Sequence, residues 1–381
     1  MTTLDEFLHK RGADQAALVA SVEATIGLDK GDMLLAVGSL VEGLGNDKSD
    51  IDLVLITSRD LASCLPDEVA LVVGNYLADV QVLQKNQLDE LLARFEAWIE
   101  RPWDLAGAAR FTPEERRLLH RLLHGIPLWQ GEGNHVTVRL PALADLSRLK
   151  LHVARQLART IQVDMVGLRD CCDYRSLVFA AQDLLGHAVD ALTASHHLTN
   201  PTAKWRSRLL EQVPASWESS LTVRPTGLAA QELVWRLHRA PEQASAEPAL
   251  RHALRIAGFA RAVFAHAERC LVSKTGALQL CCWPSIERKP NVASLPQLDL
   301  DVDFFEADGQ VSLGRLNEFG TTVELSRQEF CVTLLFDGAT TPHEANVAIY
   351  GASDQAEPTA VYRLVERIAE ARLTIPASPC R

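Results

Sequence analysis

The chain contains no apolar run of the length that a membrane-spanning helix needs, about 20 residues, no C-x-x-C pair and no excess of basic charge. The N-terminal Met1-Thr-Thr-Leu-Asp-Glu-Phe is acidic and lacks the basic-then-apolar layout of a secretion signal, so a cytoplasmic protein with no membrane partner is expected. Of the eight cysteines, Cys171-Cys172 and Cys281-Cys282 are adjacent, and Cys64, Cys270, Cys331 and Cys380 are scattered. These spacings indicate neither a zinc ribbon nor a thioredoxin-like centre, and free thiols in a reducing compartment are expected. The net charge of −11 argues against a long RNA or DNA partner, because neutralisation of phosphates by Lys and Arg dominates such affinity. A local basic patch from Arg155, Arg159, Lys204, Arg206 and Arg208 is the exception the sequence leaves open. A length of 381 residues with 47% hydrophobic content allows two or three domains, each with its own core.

What is present concentrates between residues 33 and 56. The apolar run 33–37 leads into Gly38-Ser39, and Asp50-Ile51-Asp52 opens a second apolar run, 53–56. Alternation along a strand puts Asp50 and Asp52 on one face and Ile51 and Leu53 on the other. Two carboxylates side by side raise each other's pKa unless a cation lies between them. Such a pair beside a turn that can bare backbone N–H groups suits a metal–nucleotide site. The competing reading is a strand-edge turn, with Asp50 capping an N–H and Asp52 facing water.

The pattern apolar-Gly-Ser, a spacer, then Asp-x-Asp between apolar residues resembles the signature of the polymerase-β-like nucleotidyltransferases. The wording Gly-Leu-Gly and Ser-Asp-Ile-Asp-Leu is most similar to small bacterial members, including antibiotic nucleotidyltransferases. The resemblance covers about residues 30–85. It implies a third carboxylate on a later strand, for which Asp79 in Tyr76-Leu-Ala-Asp-Val-Gln-Val-Leu83 is the candidate. It further implies that Asp50, Asp52 and Asp79 hold two Mg²⁺ ions (Mn²⁺ being the alternative), with Asp79 able to take the acceptor proton. Gly38 and Ser39 would contact the β- and γ-phosphates of a nucleoside triphosphate, with Lys48 and Ser49 nearby. Lys48 and Arg59 could touch phosphate, although lone surface cations of this kind are common and the ordinary surface reading is preferred.

Around the motif, residues 4–26 read as one or two amphipathic helices, and 69–73 and 76–83 as strands joined at Gly74-Asn75. Helices are expected over 87–100 and from Thr112-Pro113, with the Gly-rich stretch 125–133 closing the first domain. Residues 143–271 are helical in pattern. There Asp183, His187 and Asp190 share one face, which reads either as an acceptor-orienting group or as a solvated surface. Asn200-Pro-Thr-Ala-Lys-Trp-Arg206 is similar to a Pro-x-x-Lys-Trp element in the acceptor domains of some relatives, which would bring Lys204 to a cleft. It reads equally as a helix start with Trp205 in the core. His196-His197 reads as surface.

Strands over 310–316 and 321–325, followed by helices over 327–336, 341–350 and 359–373, resemble a small winged-helix domain of the peptide-recognition kind. A generic winged-helix or dimerisation domain fits the same residues. The fold expected is therefore an α/β (α+β) nucleotidyltransferase domain with a mixed sheet at 1–140, an all-α acceptor-binding domain at 141–272, a linker at 273–300 and a winged-helix-like domain at 301–381. The function expected is transfer of a nucleoside monophosphate, AMP from ATP, to a hydroxyl of a small molecule or peptide. A nucleotide-sensing scaffold and a tRNA-modifying toxin are the rivals. Neither the acceptor nor the oligomeric state is legible.

Overall fold

The computed structural model describes residues 2–59, 68–73, 76–101, 104–131, 140–218, 227–272, 294–307, 309–318, 320–350 and 359–375. The Gly74-Asn75 turn, most of the expected linker (273–293) and Cys64, Cys281, Cys282 and Cys380 lie outside them. The protein is a mixed α/β chain with a five-stranded mixed sheet, many helices and a small three-stranded antiparallel sheet near the C-terminus. It divides into two compact units, Met1–Leu146 with Thr199–Trp205, and Ser147–Leu198 with Arg206–Arg381. Among the described residues no helix is long and apolar enough to cross a membrane. Cys171, Cys172, Cys270 and Cys331 are free thiols.

In the first unit, helices α1 (Leu4–His9) and α2 (Gln15–Thr25) precede strands β1 (Met33–Val37), β2 (Ile51–Thr57), β3 (Glu68–Val73) and β4 (Tyr76–Gln84). Helices α3 (Lys85–Ile99), α4 (Leu105–Ala109) and α5 (Pro113–His124) and strand β5 (Ile126–Gln130) follow. The sheet order is β3-β4-β2-β1-β5, with β2 and β4 parallel and the other pairs antiparallel. Alternation sends Ile51, Leu53, Ala78 and Val80 to one face, where they pack with Phe7, Leu8, Leu18 and Val22 of α1 and α2. Helix α5 begins as its sequence dictates: Thr112 forms a capping box with Glu115, and Pro113 occupies the first turn. Within the Gly-rich stretch expected to close the first domain, residues 126–130 form a strand, β5. β5 carries Pro127 and pairs with β1 through a bulge at Leu34/Leu35. Proline lacks the N–H a central strand must donate, and an edge strand with a bulge tolerates it.

The second unit holds α6 (Leu143–Asp170, from Ser147 onward), α7 (Tyr174–Ser195), α8 (Arg206–Glu211), α9 (Ala230–His238) and α10 (Ala246–Leu271). It continues with β6 (Val302–Ala307), β7 (Gln310–Arg315) and β8 (Thr322–Leu325), then α11 (Arg327–Thr333), α12 (Pro342–Tyr350) and α13 (Thr359–Glu370). Strand β6 was not anticipated. One continuous core joins the helices to this sheet, running from Leu151 and Leu184 through Phe264 to Leu313, Phe330 and Leu364.

A buried charge network stitches the same parts together. Asp299, Asp301 and Asp303 alternate along Asp-Leu-Asp-Val-Asp and are all buried. Arg155 reaches Asp303 at 3.1 Å and Glu268 at 3.0 Å, Arg159 reaches Asp303 at 3.1 Å, and Arg315 reaches Asp299 at 3.2 Å. Arg261 donates to the Val302 carbonyl at 2.8 Å, and Gln162 to the Leu300 carbonyl at 2.9 Å. Burial alone would raise the Asp303 carboxyl, but Arg155 and Arg159 hold it below the usual range. The four arginines that the sequence left open as part of a basic patch are each paired: Arg155 and Arg159 here, Arg206 with Asp190 and Arg208 with Glu211.

Removing one partner of a buried ion pair leaves the other uncompensated, at a cost of about 3–5 kcal/mol. Asp303→Asn is therefore expected to destabilise the second unit by about that amount in urea unfolding. Arg208→Met, at an exposed pair, is expected to change stability by less than about 1 kcal/mol.

Candidate functional site

The motif loop leaves β1 at Gly38, whose φ is +81. The Gly38 carbonyl accepts from the Glu42 N–H at 3.2 Å, and the Ser39 carbonyl accepts from Leu44 and Gly45 at 2.8 and 2.9 Å. The turn thus spends its carbonyls inward. Glycine is required here for two reasons. Positive φ disfavours a side chain, and a Cβ would sit 2.1 Å from Asp52 Oδ2. The backbone turn and the Asp52 carboxylate occupy adjoining space that only the missing side chain makes possible.

Asp52 sits in register with Val37 on one side and with Asp79 on the other. Neighbouring strands lie about 4.8 Å apart, and partnered residues share a face, so the two carboxylates are neighbours. Two bare charges near that spacing repel by on the order of 3 kcal/mol at an effective dielectric constant of about 20. Burial, with Asp50 and Asp79 nearby, pushes the Asp52 carboxyl up, opposed by Arg121 and Lys204. Burial, Asp50 and Glu68 push Asp79 up in the same way, opposed by Arg121. The three predicted aspartates therefore belong to one electrostatic group, with Asp50 the most exposed of them. Arg121 of α5 is the residue that sequence reasoning missed. Its guanidinium lies 2.6 Å from Asp52 Oδ1 and 3.4 Å from the Gln81 amide oxygen. Nothing in its local sequence separates it from the other arginines of that helix.

A second unforeseen set fixes the segment Thr199–Trp205 to this unit. Both Glu42 oxygens accept from Asn200 Nδ2 at 3.0 Å, and His120 Nε2 lies 3.0 Å from Glu42. Thr199 Oγ1 lies 2.9 Å from His120 and 3.2 Å from His124. Burial would raise Glu42, but His120 and Asn200 hold its carboxyl below the usual range. Burial and His120 keep the His124 imidazole pKa below its ordinary value. The segment carries Lys204, exposed and 5.0 Å from the ring centre of half-buried Trp205. Its charge is felt at Asp52. Trp205 is thus not a core residue.

The remaining candidates fall as follows. Ser49 Oγ accepts from the Asn46 N–H at 3.0 Å and so serves the loop. Lys48 is exposed and lines a cleft with Ser49 and Asp50. Arg59 is spent on buried Asp32 and the Gly27 carbonyl, which removes it as a phosphate contact. Asp183 and His187 lie on α7 in the second unit, where His187 is 3.8 Å from Asp190 and Asp190 is held by Arg206. Burial lowers the His187 pKa. Of His196-His197, read as surface, His197 is exposed and 3.1 Å from Ser147 Oγ, whereas His196 is half-buried.

Among the described residues no three His, Cys, Asp or Glu side chains are already arranged as a metal cage. Mg²⁺ at nucleotide sites is commonly held by one or two carboxylates together with waters and phosphate oxygens. Asp50 and Asp52, hard oxygen donors beside a glycine turn, fit that mode, and Arg121 now neutralises Asp52. No protein-family model matches the chain, and no curated protein is significantly similar to it in sequence.

Three outcomes follow from this geometry. Gly38→Ala is expected to cost about 1–2 kcal/mol from φ alone and more from the clash. In the double variant with Asp52→Ala the two closest contacts, to Oδ2 and Cγ, are gone, so the cycle should show a coupling of about 1 kcal/mol or more; additivity would mean that the carboxylate does not touch residue 38. Glu42→Ala should leave Asn200 and His120 unpaired, costing about 1–3 kcal/mol. The loss is expected to appear as faster amide exchange across 199–205. In the wild type the same loss is expected on acidification. Because the folded pKa values of Glu42 and His124 lie below their ordinary values, the stability they contribute is present above those values. It drains as pH falls, beginning near 6.5 with His124 and continuing below 4.5 with Glu42.

Proposed function

We propose that this chain is a metal-dependent nucleotidyltransferase of the polymerase-β-like class. In particular, it moves AMP from ATP to a hydroxyl group of a small molecule or peptide. The observation that carries the reading is the in-register pair Asp52–Asp79 standing against the side-chain-free turn at Gly38. A fold that needed these residues only as caps would have no reason to place two carboxylates side by side and reserve the adjoining space for backbone.

In this reading the turn at Gly38 and Ser39 offers backbone N–H groups to the β- and γ-phosphates, as backbone nests do for anions. Asp50 and Asp52 would hold Mg²⁺ (or Mn²⁺), and Asp79 would complete a second ion; ions so held would supply neutralisation of phosphate charge and acidification of the acceptor hydroxyl. Arg121 keeps Asp52 oriented before the nucleotide arrives. The acceptor oxygen bonds to the α-phosphorus, the bond from that phosphorus to the bridging oxygen of the β-phosphate breaks, and pyrophosphate leaves with the electron pair. The hydroxyl proton would go to Asp79, directly or through water. Lys204, carried by the segment that Glu42 and Asn200 fix, adds positive charge facing Asp52. The winged-helix reading of 301–381 belongs to the same proposal and rests on three antiparallel strands followed by three helices.

The test is incubation of the chain with each α-labelled nucleoside triphosphate, Mg²⁺ and a cell extract, followed by mass measurement of whatever gains label. ATP is expected to label an acceptor with release of pyrophosphate. Asp52→Asn should abolish transfer and leave the unfolding midpoint of the first unit close to the parent's. Asp79→Ala should lower turnover by about 100-fold or more, the scale of a lost general base, while nucleotide binding is partly kept. Wild-type turnover in Asp52→Asn would overturn the proposal.

A further inference from the structure

Asp50 has a second flank, away from Gly38, that the proposed chemistry does not use. A cleft of about 460 Å³ opens there, lined by Arg11, Lys48, Asp50, Val72, Tyr76 and Leu77 among others. Neither Gly38 nor Ser39 lines it. Its apolar wall is unusual. Val72 and Leu77 are partners across β3 and β4, and they are 73% and 56% exposed. Alternation puts Leu77 on the face of β4 that carries Asp79. Two large aliphatic side chains therefore stand bare one strand step from the candidate base.

The polar groups of the cleft are unequally committed. Asp47 is held by Lys10 at 3.0 Å. Arg11 lies 3.6 Å above the Phe7 ring and donates to the Phe7 and Asp47 carbonyls, yet keeps its charge. Lys48 makes no ion pair among the described residues. Tyr76 is buried, and its hydroxyl has no hydrogen-bond partner among the described residues. With Asp50 assigned to the metal and phosphates, the free charge of the cleft is positive.

We infer that this cleft is the acceptor subsite and that the acceptor is a small hydroxy-carboxylic acid with an apolar body. This rests on the nucleotidyltransferase reading above. The body lies on Val72 and Leu77, the carboxylate faces Lys48 and Arg11, and the hydroxyl extends along β4 toward Asp79. A polycationic acceptor meets the wrong sign of charge here, and a neutral sugar leaves the aliphatic wall uncovered.

The experiment uses the full chain and two probes, 3-(4-hydroxyphenyl)propionate and its amide, with binding followed by calorimetry and ligand-observed NMR. A non-hydrolysable ATP analogue with Mg²⁺ is titrated in parallel. The acid is expected to bind saturably and the amide about tenfold more weakly. Lys48→Gln should narrow the difference between them, Arg11 remaining to face the carboxylate. Leu77→Asp, an exposed change that spares folding, should weaken both probes by about tenfold while the affinity for the ATP analogue is unchanged. Absence of saturable acid binding, or acid binding indifferent to Leu77→Asp, overturns the assignment. So does a variant that loses the nucleotide analogue instead, since the cleft would then belong to the nucleotide. Failure of the wild type to bind the analogue, with the acid still bound and sensitive to both variants, counts against the transferase reading and not against the cleft.

Discussion

The first unit is organised around one close approach, in which the Asp52 carboxylate fills the space that a side chain at residue 38 would need. That contact ties the end of β1 to the start of β2. The parallel register of β2 and β4 then sets Asp79 beside Asp52. Like charges brought this near must be balanced, and the chain supplies Arg121 from α5 and Lys204 from the segment Thr199–Trp205. The cations come from elements distant in sequence, so the electrostatic balance of the site exists only once those elements are in place.

Charge is handled differently in the second unit. There the acidic run Asp299–Asp303 is buried against arginines of α6, α10 and β7, and each of its three carboxylates meets a guanidinium. The two carboxylate clusters look alike in sequence: both alternate Asp with an aliphatic residue. What separates them is the number of guanidinium groups around each. Asp303 is met by two arginines, whereas Asp52 is met by one and Asp79 by no ion pair among the described residues. A carboxylate pair left short of cations is the arrangement that an incoming divalent ion can complete.

Much of the first unit was legible. The strands of the motif announced themselves by alternation and by the Gly-Ser and Asp-Ile-Asp punctuation, and Thr112-Pro113 marked a helix start that the capping box realises. Strand β5 was not, because a short segment carrying Pro127 has no strand pattern of its own and is made a strand by pairing with β1. Strand β6 was hidden for another reason: it follows directly on a stretch without clear period that read as a linker, and only arginines far away in sequence make burial of Asp303 tolerable. Arg121, Glu42, His120 and Asn200 carry no local pattern. Their roles arise from contacts between residues up to 158 positions apart, which spacing within a window cannot reveal. Arg59, Arg155 and Arg159 fail as ligand contacts for the complementary reason, since each has found a buried carboxylate.

The most direct measurement is a crystal structure of the chain with Mn²⁺ and a non-hydrolysable ATP analogue, located by anomalous scattering. If the three aspartates form the proposed centre, manganese will lie in direct contact with the carboxylates of Asp50 and Asp52, with phosphate oxygens completing its shell. Arg121 will have left its present contact with Asp52. Manganese found only elsewhere, with Asp52 still paired to Arg121 and the nucleotide away from Gly38, would contradict the assignment.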